Sequence, residues 1–78
     1  MRVWKAIDKL IETESASIDE ISRAWQMPVD VILMKRENNE DLATRYYHNL
    51  ILRFRVNPLF LYHGESPIII PKEEGGDE

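Results

Sequence analysis

Cysteine is absent from this chain. No disulfide framework, thiolate metal site or thiol nucleophile can therefore exist, and a reducing cytoplasmic setting is expected. Glycine is nearly absent as well. Of three glycines, two form the pair Gly75-Gly76, so no glycine-rich loop is available to cradle phosphate. His48 and His63 are the only histidines, and neither belongs to a metal-ligand spacing such as H-E-x-x-H. His63 stands beside Gly64 and reads as a helix-end residue. The acidic pairs Asp19/Glu20 and Glu40/Asp41 are adjacent in sequence, so they do not converge on one helix face as an acid–base pair would. No enzyme, cofactor or metal is expected. No apolar run approaches the ~18 residues of a membrane span, nor does the beginning of the chain carry a signal peptide's apolar region.

Seventy-eight residues, 44% of them hydrophobic, form one small domain with room for one core. The net charge of −4 argues against nucleic acid as a partner until its distribution is considered. Residues 72–78 hold Lys72 against Glu73, Glu74, Asp77 and Glu78, and read as a disordered acidic tail. The first 71 residues then carry nine basic and ten acidic side chains, a nearly neutral body on which a basic face can form.

Val3, Trp4, Ile7, Leu10 and Ile11 recur at helical spacing, which predicts an amphipathic first helix over residues 2–14. On its other face the pairs Lys5–Asp8 and Lys9–Glu12 are expected. Ser17-Ile18-Asp19-Glu20 has the capping-box form S-x-x-E and opens a second helix with Ile18, Ile21, Ala24 and Trp25 on one face. Trp25 is expected in the core against the first and fourth helices. Pro28 interrupts that pattern and suits the first position of a third helix running to Glu37. Five of the six residues Val29–Met34 are apolar, too many for one buried stripe. Either two sides are covered or an apolar patch awaits a partner. Lys35 and Arg36 can complement the helix dipole at its end or contact phosphate.

Asn38-Asn39-Glu40-Asp41 has the residues of a helix start. Leu42, Ala43, Tyr46, Tyr47, Leu50, Ile51 and Phe54 then predict a fourth helix of about four turns. Arg45, Arg53 and Arg55 make this the most basic stretch of the chain. Asn57 and Pro58 read as cap and first turn of a short fifth helix stopped by Gly64. Ile68-Ile69-Ile70, between Pro67 and Pro71, can form an edge strand or an extended arm.

This layout resembles the helix-turn-helix repressors of temperate phages, of the CI and Cro type. Many of these close the domain with N-x-x-W-L-L-x-G-E-G. The corresponding run here is Asn57-Pro58-Leu59-Phe60-Leu61-Tyr62-His63-Gly64-Glu65-Ser66. Ile21, Trp25, Met27 and Ile32 fit the family's apolar positions, and Ser22 its small one. Two departures stand out. Gln26 replaces the glycine common in the turn, and Val29, Asp30, Leu33 and Met34 stand where the family places polar base-reading residues.

The expected fold is therefore all-α, a four- to five-helix lambda-repressor-like bundle containing a helix-turn-helix, with a short extended arm after it. Residues 1–64 would be the DNA-binding domain and 65–78 the arm and acidic tail or linker. The resemblance implies a transcriptional repressor that binds double-stranded operator DNA as a homodimer, its second motif helix in the major groove. Arg23, Lys35 and Arg36 would meet phosphates, with Pro28, Val29, Asp30, Leu33 and Met34 at the groove. Leu33 or Met34 could touch a thymine methyl. Phe60, Leu61, Ile68, Ile69 and Ile70 would form the dimer contact. The alternative is a protein-binding module, an antirepressor or assembly factor, that docks through its apolar third helix.

Overall fold

The computed structural model describes residues 1–71; the acidic tail expected at 72–78 lies outside the described residues. Five helices follow in order: α1 (Arg2–Glu12), α2 (Ile18–Trp25), α3 (Val29–Glu37), α4 (Thr44–Phe54) and α5 (Pro58–His63). The all-α bundle read from the sequence is thus present. α1 packs on α5, while α2 packs on both α3 and α4. One core joins Val3, Trp4, Ile7 and Leu10 of α1 to Ile21, Ile32, Leu50 and Leu61 on the other four helices.

Local chemistry sets the helix boundaries. The capping box forms as its sequence predicts: the Ser17 hydroxyl accepts the Glu20 amide at 3.1 Å, and the Glu20 carboxylate accepts the Ser17 amide at 2.8 Å. α1 ends at Glu12, short of the expected residue 14. Glu14 turns left-handed at φ 60°, and the amides of Ser15 and Ala16 fold back onto the Leu10 carbonyl. Ala6 is buried in α1, whereas Ile11 is 39% exposed. Of the expected surface pairs Lys9–Glu12 forms at 3.7 Å. Asp8 instead faces Arg36 of α3.

The start of α4 differs from the sequence expectation. Asn38 to Glu40 close α3 rather than opening α4, and Asp41 follows in the connection. Asn39 is left-handed at φ 54°, and the Glu40 amide reaches back to the Lys35 carbonyl at 2.9 Å. That pairing is a Schellman closure, and it occupies the residues that read as a cap. α4 begins two residues after Leu42, which is buried in the connection.

Residues 65–71 belong to the folded unit instead of leaving it at Gly64. Asn57, buried at 6% exposure, accepts the Leu59 amide through Oδ1 and donates through Nδ2 to the carbonyls of Glu65 (3.3 Å) and Pro67 (2.8 Å). The arm then pairs antiparallel, Ile69 opposite Val56, with the Asn57 amide on the Ile68 carbonyl and the Ile70 amide on the Arg55 carbonyl, both at 2.9 Å. Ile68 and Ile69 pack half-buried against the core.

Candidate nucleic-acid interface

The turn between α2 and α3 is built by backbone bonds. Gln26 adopts φ 55° and ψ 45°, the left-handed conformation that glycine takes without penalty. Its amide and that of Met27 satisfy the last α2 carbonyls, at Arg23 and Ser22. The Ser22 hydroxyl in turn donates to the Met27 carbonyl. Pro28 sits one position earlier than expected. It is the N-cap of α3, not its first helical residue, and its carbonyl accepts the amides of Val31 and Ile32, each at 3.1 Å.

Only Ile32 of α3 is buried. Leu33 and Met34 are 49% and 54% exposed, Asp30 and Pro28 are exposed, and Val29 is half-buried. The apolar surplus of this helix is therefore an outward patch, one of the two outcomes the composition allowed. Lys35 and Arg36, both candidates for phosphate contact, are engaged inside the molecule. Lys35 Nζ lies 3.3 Å from Glu40. Arg36 makes two parallel bonds to Asp8, at 2.8 and 2.9 Å. This fork geometry matches a carboxylate, and the hydrogen bond with the attraction of Asp8 raises the arginine's pKa further. The two cations fasten the far end of α3 to α1 and to the following loop.

Nearer the turn lies Arg23, the third expected phosphate contact, together with Arg45 and Arg53, which were not among the expected site residues. Arg23 of α2 and Arg53 of α4 line a cleft of about 490 Å³ with Glu20, Gln26 and Phe54. Across Gln26, Arg45 lines a second cleft of about 260 Å³ with Trp25, Tyr46 and Asn49. Arg45 is fixed by Tyr46: its guanidinium lies 4.7 Å from the ring centroid and donates to the hydroxyl at 3.0 Å. Arg23, Arg45 and Arg53 make no ion pair among the described residues. The sequence signal for Arg45 and Arg53 was the absence of any Asp or Glu between Leu42 and Gly64. What it could not supply was the proximity of α4 to the end of α2.

Phe60 and Leu61, expected at a subunit contact, are at 9% and 4% exposure within the chain's own core. Their apolar surface is used by the packing of α5 on α1, so it cannot also cover a partner. Ile68 and Ile69 are half-buried by the arm's return, which leaves Ile70 exposed at 41%. The exposed apolar residues of α5 are Leu59 and Tyr62. No group of three or more His, Asp or Glu suited to a metal occurs among the described residues, where no helix is long and apolar enough to cross a membrane. Comparison with protein families, with curated proteins and with solved structures gives no match.

Proposed function

We propose that this chain binds double-stranded DNA as a repressor-type regulator, with α3 at the major groove and Arg23, Arg45 and Arg53 on phosphates. The observation that carries the reading is that Arg23 and Arg53 line one cleft, beside Glu20, and Arg45 a second cleft at the turn that leads into α3, none of the three making an ion pair among the described residues. Phosphate contacts supply most of the affinity, because the outward side of α3 offers few hydrogen-bond donors. Asp30 can accept from a cytosine amino group and Leu33 or Met34 can meet a thymine methyl, so base discrimination is weak. A two-fold operator would bring two copies together, with Leu59, Tyr62 and Ile70 the exposed apolar residues of α5 and the arm available for that contact.

The test is titration of duplex DNA at several salt concentrations. Log K should fall linearly with log salt, and replacing Arg23, Arg45 or Arg53 by Ala should each reduce the slope by about 1. Lys35→Ala should leave the slope unchanged, since that ammonium is held by Glu40. Absence of saturable, salt-sensitive binding defeats the reading. The exposed Leu33–Met34 patch favours a second reading, a protein partner seated on α3. In that case Leu33→Ala with Met34→Ala removes binding, while the arginine substitutions do not.

A further inference from the structure

In an unbroken helix, residues two apart do not face each other. Arg53 and Arg55 would therefore point apart if α4 ran on. Instead α4 stops at Phe54, and Arg55 turns left-handed at φ 62° and ψ 30°. The returning arm then holds it. The Arg55 carbonyl accepts the Ile70 amide at 2.9 Å, and its guanidinium donates to the carbonyls of Ile70 (3.3 Å) and Pro71 (3.1 Å). Both arginines consequently line one cleft of about 240 Å³ with Ser15, Phe54, Ile69 and Ile70. No carboxylate lines it among the described residues, where neither arginine makes an ion pair. Arg55 spends two of its five N–H donors on carbonyls, which leaves three donors and the whole charge.

Two guanidinium groups and a hydroxyl make a donor set suited to phosphate oxygens. The Ser15 hydroxyl also bonds that of Thr13 at 2.9 Å, and it keeps capacity for a second partner. At about 240 Å³ the cleft falls below the ~300–1,000 Å³ usual for a drug-sized ligand. It therefore suits one charged group of a longer chain. Its position says which chain. Arg53 and Phe54 also line the cleft of Arg23, and that cleft shares Ala24 and Gln26 with the cleft of Arg45. The three clefts form one series from the turn before α3 to the arm, along about 15 Å of α4. We infer that the cleft of Arg53, Arg55 and Ser15 takes a phosphate group, the last in a row of backbone phosphates that begins at Arg45. Its place in that row rests on the nucleic-acid reading above; the phosphate site itself does not.

The test uses the full chain with two variants, Arg55→Gln and Ser15→Glu. The second sets a carboxylate in the cleft while leaving both arginines and the ties of the arm in place. Inorganic phosphate is titrated against chloride of equal ionic strength, and the side-chain Nε–H resonances of Arg53 and Arg55 and the Ser15 amide are followed. Phosphate should move all three saturably in the wild type and in neither variant. Duplex binding is then measured across salt. Loss of one phosphate contact lowers the salt slope by about 1, so each variant should bind about tenfold more weakly at ~0.1 M salt and nearly as the wild type does at ~1 M. A wild type that takes phosphate in this cleft but no duplex supports the site and sinks only the nucleic-acid reading. Phosphate that leaves Arg55 and Ser15 unmoved overturns the proposal. So does a wild type that binds duplex with an affinity both variants share at low salt.

Discussion

α2 and α3 flank one turn and are nearly equal in length, yet they are held in place by different means. α2 is capped by a reciprocal side-chain box and buries Ile21 and Trp25, while Asp19, Glu20 and Arg23 face out. α3 has no side-chain cap, buries Ile32 alone, and carries apolar residues on its outward side. Besides Ile32 in the core, it is tied at its two ends: by the turn at Gln26–Pro28 before it, and by the pairs Arg36–Asp8 and Lys35–Glu40 after it. A helix fixed from its ends keeps its outward surface free for another molecule. One fixed by a buried stripe does not need a partner.

The largest test of that contrast sets Trp25 against the Leu33–Met34 pair. Trp25 is 6% exposed, its indole N–H donates to Asn49 at 3.1 Å, and its ring lies 4.9 Å from that of Tyr46. These contacts place it against α4, one of the two helices expected to cover it. Trp25→Ala should cost about 3–5 kcal/mol, enough to unfold a domain of this size. Leu33→Ala and Met34→Ala should each stay within about 0.5 kcal/mol of the wild type. Denaturant melts decide it. Comparable losses on both sides would mean that α3 is held by packing after all.

A middle-sized effect concerns the loop that closes α3. The Tyr47 hydroxyl donates to Asp41 at 2.8 Å, and its ring lies 5.7 Å from Tyr62. Desolvation comes first, followed by the hydrogen bond and charge of Asp41 and the influence of Tyr62; together they push the phenol up to about 12 from its ordinary 10.0. The fold therefore favours the neutral phenol. Its stabilising contribution is complete below pH 10, is lost as the pH rises toward 12, and is absent above that. Tyr47→Phe should cost about 1 kcal/mol at neutral pH and flatten the alkaline loss of stability. A variant that melts like the wild type at both pH values would detach this loop from the support of α3.

How much of this was legible follows the same divide. Elements fixed by spacing and caps were readable: the stripe of α1 apart from Ile11, the Ser17–Glu20 box, the Asn57-Pro58 start of α5 and its stop at Gly64. Elements fixed by distant partners were not. Asn38 to Asp41 carry the composition of a helix start, and only the backbone return to Lys35 shows Asn38 to Glu40 to be a helix end. Asp8 reads equally well as a partner for Lys5, because nothing local says that Arg36, 28 residues away, is nearer. The candidate site divides likewise. The apolar surplus of α3 left open whether it would be covered or exposed, and Arg23 was readable, whereas bringing Arg53 beside Arg23 required the packing of α4 on α2.

The smallest effect has the opposite sign and lies in the turn itself. Among the described residues, four other than glycine occupy the left-handed region: Glu14, Gln26, Asn39 and Arg55. For an ordinary side chain this conformation costs roughly 1–2 kcal/mol, while glycine adopts it freely but loses about 0.5–1 kcal/mol through the entropy of the unfolded chain. Gln26→Gly should therefore stabilise the protein by about 0.5–1 kcal/mol, raising Tm by about 3–6 °C. Gln26 is the position to choose, because its side chain makes no hydrogen bond among the described residues. Arg55→Gly relieves a similar backbone strain at φ 62°, but it also removes the guanidinium that ties the carbonyls of Ile70 and Pro71, so its gain should be smaller or reversed. Thermal melts of the two variants side by side decide between these accounts. If Gln26→Gly lowers Tm, the Gln26 side chain contributes to holding α3, and the turn is more than a backbone device.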